Sequence, residues 1–176
     1  SAASATNLLA GNYVVTVTDG NNCTQTANIT VPASGGPSVL VQNTIDANCN
    51  GSSSGSAVIT ASGGSGPYTY SWSPSGGTNA SASSLQAGTY IVTVTDGNNC
   101  SSTASIIISE PTPVQINTSS TPASCNGGTN GTATAVASGG TAPYTYSWTP
   151  GGSGATISGL SIGNYNVVAT DAHGCI

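Results

Sequence analysis

Along Gly88–Thr95 apolar and polar positions alternate, with Tyr90, Val92 and Val94 on one face of an extended chain and Ile91, Thr93 and Thr95 on the other. A period of two is that of a strand with one face against a core and the other against water. Tyr68, Tyr70 and Trp72 share a face in the same way. Further runs predict strands at Val39–Ile45, Ala57–Ala61 and Ser102–Ile108, with a weak one near Asn79–Ser83. Turn-forming Gly, Ser, Thr and Asn separate these runs at short intervals, and no segment carries helical periodicity. The pattern therefore predicts an all-β, antiparallel sandwich.

The strand and turn GTYIVTVTDGNNC (Gly88–Cys100) recur as GNYVVTVTDGNNC (Gly11–Cys23) and GNYNVVATDAHGC (Gly163–Cys175). SAVITASGG (Ser56–Gly64) returns as TATAVASGG (Thr132–Gly140), PYTYSW (Pro67–Trp72) as Pro143–Trp148, and Cys49-Asn50-Gly51 as Cys125-Asn126-Gly127. Displacement by one common interval marks a tandem array with a period of about 75 residues. Residues 1–31 read as the C-terminal part of a first repeat, 38–109 as a complete repeat, and 114–176 as a third lacking its last strand. The linkers Pro32–Pro37 and Glu110–Pro113 are short and Pro-bearing, which restricts the joints. Trp72 stands where immunoglobulin-like sandwiches place a core Trp, and Leu85–Tyr90 has the spacing of a tyrosine corner. Trp72, Trp148, Tyr13, Tyr90 and Tyr165 are the expected structural core.

Composition narrows what such an array can do. Lys plus Arg is 0 and Asp plus Glu is 5, for a formal charge of −5. Without cations the chain has nothing to neutralise phosphates or an anionic membrane surface, so nucleic acid and direct membrane insertion are not expected partners. Without Lys, Schiff-base chemistry and Lys–Asn crosslinks are excluded, so covalent reinforcement falls to cysteine. No charged segment followed by an apolar stretch marks a signal peptide, and the chain reads as an excerpt of a longer precursor.

No catalytic site, cofactor or metal is expected. The single His173 lies two residues from Asp171 in a turn, not on a separate element as a triad requires. Asp19, Asp96 and Asp171 recur at one place in the repeat and are too few for calcium, so they are expected to accept hydrogen bonds from the turn they begin.

The CNG, SGG and PYTYSW phrases, the L-x-x-G-T/N-Y-x-V phrase and T-D-x-x-x-C together resemble the SprB-type repeat of gliding-motility and other cell-surface adhesins of Bacteroidota, itself similar to PKD and immunoglobulin-like domains. The resemblance implies tandem Ig-like sandwiches on an exported, extracellular protein of the bacterial surface. Family repeats often carry an acidic residue shortly after CNG, where this chain has Ser54 and Asn130.

Five cysteines without a C-x-x-C pair argue for an oxidising compartment, and an odd count leaves one partner outside the segment or one thiol free. In a sandwich of this strand order Cys49 and Cys100 stand at opposite ends, roughly 25 Å apart, whereas a disulfide needs Cα atoms within about 7 Å. Stacked repeats instead bring Cys49 toward Cys175. By the same logic Cys23 and Cys100 join cysteines upstream and Cys125 one downstream. Pairing within repeats, Cys49 with Cys100 and Cys125 with Cys175, stays open if the first strand is misplaced.

The leading expectation is a structural stalk or filament segment of a secreted adhesin, built from disulfide-stapled repeats, for gliding or attachment. One alternative is a module that binds surface glycans through Tyr and Asn on outer loops such as Ser73–Asn79. Another is a subunit that assembles with other copies into a filament by strand donation.

Overall fold

A computed structural model describes residues 4–32 and 35–176. Residues 1–3 of the first repeat, and Ala33 and Ser34 of the linker Pro32–Pro37, lie outside the described residues.

Residues 38–109 form the complete repeat. Its strands are β3 (Ser38–Ile45), β4 (Gly55–Ser62), β5 (Thr69–Ser73), β6 (Ser81–Leu85), β7 (Gly88–Thr95) and β8 (Ser101–Ile108). They make two three-stranded antiparallel sheets, ordered β3-β4-β6 and β5-β7-β8. The alternation decides which side chains meet between them. Ala57 and Ile59 of β4 and Ala82 and Leu85 of β6 face Trp72 of β5, Tyr90, Val92 and Val94 of β7, and Ile106 and Ile108 of β8. Val92 and Val94 are fully buried while Ile91, on the opposite face, is 48% exposed. Burial of this one stripe is the main source of the unit's stability. The weak run placed at Asn79–Ser83 is β6, two residues further on, because Asn79 is taken up in a turn whose carbonyl accepts the Trp72 Nε1 hydrogen bond at 2.8 Å.

The third repeat copies the plan with β9 (Gln115–Thr121), β10 (Gly131–Ser138), β11 (Thr145–Thr149), β12 (Thr156–Leu160) and β13 (Asn166–Thr170). Its sheets are β9-β10-β12 and β11-β13. Trp148 takes the place of Trp72, 76 positions earlier, and donates Nε1 to the Gly154 carbonyl at 2.9 Å. The first repeat is represented by β1 (Gly11–Thr18) and β2 (Thr24–Val31), paired antiparallel. Its register repeats that of β7 and β8: Tyr13 faces Ile29 as Tyr90 faces Ile106. Tandem immunoglobulin-like sandwiches are thus the architecture of this chain.

Two of the five expected core aromatics, Tyr13 and Tyr165, are only half-buried, although Tyr165 packs against the Trp148 cluster. Tyr13 is half-buried because β1 and β2 have no opposing sheet among the described residues, leaving Val14 and Val17 each 64% exposed. Tyr165 is half-buried beside a cleft of about 850 Å³ also lined by Trp148, Leu160 and Thr132. In the complete repeat the corresponding Tyr90 is covered by Ile106 and Ile108 of β8 and retains 5% exposure.

All three tyrosines nevertheless make the corner. The hydroxyl of Tyr13 donates to the Leu9 carbonyl at 2.8 Å, that of Tyr90 to Gln86 at 3.1 Å, and that of Tyr165 to Ser161 at 3.3 Å. The bond reaches only four residues back, so it forms with or without a covering sheet.

Candidate functional site at the joint between repeats

Two turns at opposite ends of each sandwich carry the cysteines. The first begins at the recurring Asp. Asp96 Oδ1 accepts from the amides of Asn98 and Cys100, both at 2.9 Å, and the Asp96 amide donates to the Cys100 carbonyl at 2.9 Å. Asp171 repeats this with His173 (2.8 Å) and Cys175 (2.9 Å), and Asp19 with Asn21 and Cys23, both at 2.9 Å. The carboxylate thus fixes the backbone of the cysteine four residues on. Cys100 immediately precedes β8 and does not belong to it.

In the two sandwiches the second carboxylate oxygen reaches across the end of the fold. Asp96 Oδ2 accepts from the Ser65 amide at 3.1 Å, and Asp171 Oδ2 from the Thr141 amide at 2.8 Å. Both residues are buried, at 4% and 6% exposure. Burial alone pushes such a carboxyl upward, but three backbone N–H donors stabilise its charge more strongly, so both Asp96 and Asp171 titrate below the ordinary value. The nearby His173 adds a small lowering effect on Asp171. His173 itself is exposed, and its bond to Asp171 comes from its backbone amide.

This contact explains why SGG recurs. Gly64 and Gly140 have φ of 63° and 55°, and a Cβ at either would collide with Oδ2 of Asp96 or Asp171. The loop is tied from the other side by the first Tyr of PYTYSW. Tyr68 donates to the Gly63 carbonyl at 2.5 Å, and Tyr144 to that of Gly139.

The second turn is CNG. Cys49 lies four positions past the end of β3, not at its close, in a turn where Gly51 has φ of 72°. Ser54 Oγ accepts from the amide of Asn48, the residue before Cys49, at 2.8 Å. Asn130 Oδ1 does the same for Ser124, the residue before Cys125, at 3.0 Å. The third position after CNG is therefore an acceptor that holds the turn shut. No sequence pattern alone singled out that role, since Ser and Asn look unlike.

The joint between the second and third sandwiches brings both turn types together. Cys49 and Cys175 form a disulfide with Cα atoms 5.6 Å apart across 126 positions of chain. The sulfur of Cys175 also lies 3.3 Å from the Asn48 carbonyl oxygen. Cys49 is partly exposed, and Cys175 retains 8% exposure. Cys100, the other partner weighed for Cys49, stands at the opposite end of the same sandwich, where Gly36 of the preceding linker approaches it. Cys23, Cys100 and Cys125 are not disulfide-bonded within the chain.

Beside the disulfide, Glu110 opens the linker to the third sandwich. Its Oε2 accepts from the Gly51 amide at 2.6 Å and its Oε1 from Asn50 Nδ2 at 2.9 Å, while Asn50 Nδ2 also meets the Pro111 carbonyl at 3.2 Å. Between the two prolines, the Thr112 carbonyl accepts from the Gly140 amide at 2.8 Å. The linker is thus hydrogen-bonded to both of the sandwiches it joins. A cavity of about 390 Å³ remains there, lined by Cys49, Pro111, Thr112, Gly140 and Cys175.

These features define an array of Ig-like beads whose distinctive chemistry sits at the joints. The family model described as SprB repeat matches residues 41–77 and again 117–153. The two segments are SprB repeats, one in each sandwich, and such repeats are of the adhesin type associated with cell surfaces. Each match runs from the first strand through the CNG turn to just past the core Trp, and stops short of the Asp turn. No curated protein matches the chain. A solved structure reported as "Structural basis for Dscam isoform specificity" is similar at 14% identity over 88% of this chain and 49% of that one, so this chain spans about half its length. The TM-score is 0.33, too low to equate the two arrangements.

Proposed function

We propose that the chain is a stiff segment of the stalk of a secreted cell-surface adhesin, holding a distal part away from the cell for gliding or attachment. One observation carries the reading: the joint between the two sandwiches is closed by a disulfide as well as by a hydrogen-bonded, proline-bearing linker. A flexible tether needs none of these, whereas a strut that transmits force needs its hinges restrained. The oxidising compartment that the disulfide requires fits an extracellular location. An exposed fibre also gains from having no Lys or Arg, because trypsin-like proteases find no cleavage site in it. On this reading the chain performs no reaction, and its partners are the neighbouring repeats.

Small-angle X-ray scattering tests it. The oxidised chain should give the profile of a rod with a fixed angle between the second and third sandwiches, and mild reduction should broaden the distribution of end-to-end distances. Identical, broad distributions in both states, or saturable binding on a glycan array, overturn the spacer reading.

A further inference from the structure

We propose that Asn50–Gly51 is a self-modification site, at which the Glu110 carboxylate promotes closure of the Asn50 side chain onto the Gly51 nitrogen with loss of ammonia, leaving aspartate or isoaspartate at the joint. The observation is a juxtaposition of three groups. Oε2 of Glu110 accepts from the Gly51 amide at 2.6 Å, and Oε1 of the same carboxylate accepts from Asn50 Nδ2 at 2.9 Å. The nitrogen that attacks in such a closure and the nitrogen that leaves are thus held by one group, each within the reach that general acid–base catalysis needs. Because both bonds end on one carboxylate, the Asn50 side chain is folded back over the peptide nitrogen that follows it. The Pro111 carbonyl, 3.2 Å from Nδ2, supports that fold from the linker. Gly51 is exposed at φ of 72°, with nothing within 4 Å of where a Cβ would stand, so no side chain shields its nitrogen. Asn126–Gly127 and Asn130–Gly131 are the chain's other Asn-Gly pairs, and among the described residues neither meets a carboxylate; Asn130 Nδ2 donates to Ser124 Oγ at 3.0 Å instead.

The Gly51 N–H proton passes to Glu110 as the nitrogen attacks Asn50 Cγ. The carboxylic acid so formed hands that proton to Nδ2, the Cγ–Nδ2 bond breaks, and ammonia departs from a cyclic imide. Water then adds to either imide carbonyl. Opening at the side-chain carbonyl gives aspartate, opening at the backbone carbonyl gives isoaspartate, and Glu110 is returned as the carboxylate with no change of oxidation state anywhere. The product places a new carboxylate beside Glu110 in a chain with no Lys or Arg to offset it, so like charges meet where a donor met its acceptor. The clasp between the CNG turn and the linker is thereby lost, one residue from the disulfide at Cys49. That the loss slackens a strut rests on the stalk reading, whereas the reaction itself does not.

The chain is incubated at neutral pH below its unfolding transition, and chymotryptic peptides are followed by fragmentation mass spectrometry for ammonia loss at Asn50, Asn126 and Asn130. Glu110→Gln and Glu110→Ala remove the base, the first keeping the shape of the side chain and the second deleting it. Conversion at Asn50 should slow on the order of tenfold in both variants, with the rates at Asn126 and Asn130 unchanged. A contact that only immobilises the turn predicts the opposite sign, with faster conversion at Asn50, most of all in Glu110→Ala. Unchanged or faster conversion in either variant, or a native chain that converts at Asn126 and leaves Asn50 intact, overturns the proposal. Tryptophan fluorescence and the Cys49–Cys175 bridge, read in the same samples, verify that each variant is folded. Scattering from the fresh chain tests the stalk reading separately, so failure of the one is told apart from failure of the other.

Discussion

Glu110 Oε2 accepts the Gly51 amide at 2.6 Å, so the residue that opens the linker is held by the very turn that carries the disulfide cysteine. Its other oxygen holds Asn50 at 2.9 Å. A carboxylate with two donors on one turn makes the departing chain part of the sandwich it leaves, and the linker's first residue cannot swing independently.

Glu110→Ala should therefore free the CNG turn without unfolding the sandwich. The site is solvent-exposed, so the loss in global stability is small, about 1 kcal/mol. The larger effect is local. Hydrogen exchange at the Gly51 amide should accelerate, and reduction of Cys49–Cys175 by a small thiol should speed up as the turn opens. Unchanged exchange at Gly51 would show that water replaces the carboxylate at no cost.

Replacing Cys49 and Cys175 together by Ser should lower resistance to denaturant. A bridge closing 126 positions of chain constrains the unfolded ensemble strongly, and the expected loss by loop entropy is about 5 kcal/mol. Because the bridge joins two sandwiches, the loss should appear as separation of one unfolding transition into two. Urea unfolding followed by tryptophan fluorescence reports this, with Trp72 in one sandwich and Trp148 in the other.

The strands of the complete repeat were legible because Tyr90, Val92 and Val94 alternate so regularly with polar partners, and the tandem plan because CNG and PYTYSW return unchanged. Burial was less legible. Tyr13, Tyr90 and Tyr165 occupy one place in the phrase, yet only Tyr90 has β8 and an opposing sheet around it. A strand's own pattern specifies which face turns inward and says nothing of whether anything covers that face. The joint was legible only in its cysteines. Glu110 sits in a segment without periodicity, and its partners are 59 and 60 positions away. Ser54 and Asn130 perform one task through chemically different acceptors.

Tyrosine corners in covered and uncovered settings should differ in worth. Tyr90→Phe leaves the Gln86 carbonyl without its donor in a part-buried setting and should cost about 1 kcal/mol. Tyr13→Phe removes a bond of 2.8 Å that is exposed, where water substitutes, and should cost only a few tenths of that. Equal costs would mean that the corner acts through local backbone geometry alone.

Gly64→Ala tests the clasp between the SGG loop and the Asp turn. The added methyl must occupy the space of Asp96 Oδ2 at a backbone φ of 63°, so strain and displacement of the carboxylate act together. The expected loss is about 2 kcal/mol. Gly140→Ala should behave alike at Asp171. Gly66→Ala is the control, since its Cβ would meet nothing within 4 Å.

Acid should open the same clasp. Burial raises the carboxyls of Asp96 and Asp171, but the backbone donors from Ser65, Cys100 and Asn98, and from Thr141, Cys175 and His173, outweigh it and leave both titrating below the ordinary 3.8. A group whose folded value is depressed contributes stability that is fully present above its unfolded value and is lost as pH falls through the folded one. Stability should be flat from neutral pH down to about pH 4 and decline below it. Asp96→Asn removes one charge and one acceptor. It should lower stability at neutral pH and flatten the acid decline, because the substituted site no longer titrates. With no Lys or Arg and one His in the chain, few other groups contribute to that slope. A decline of equal steepness in the variant would place the acid sensitivity outside the Asp96 clasp.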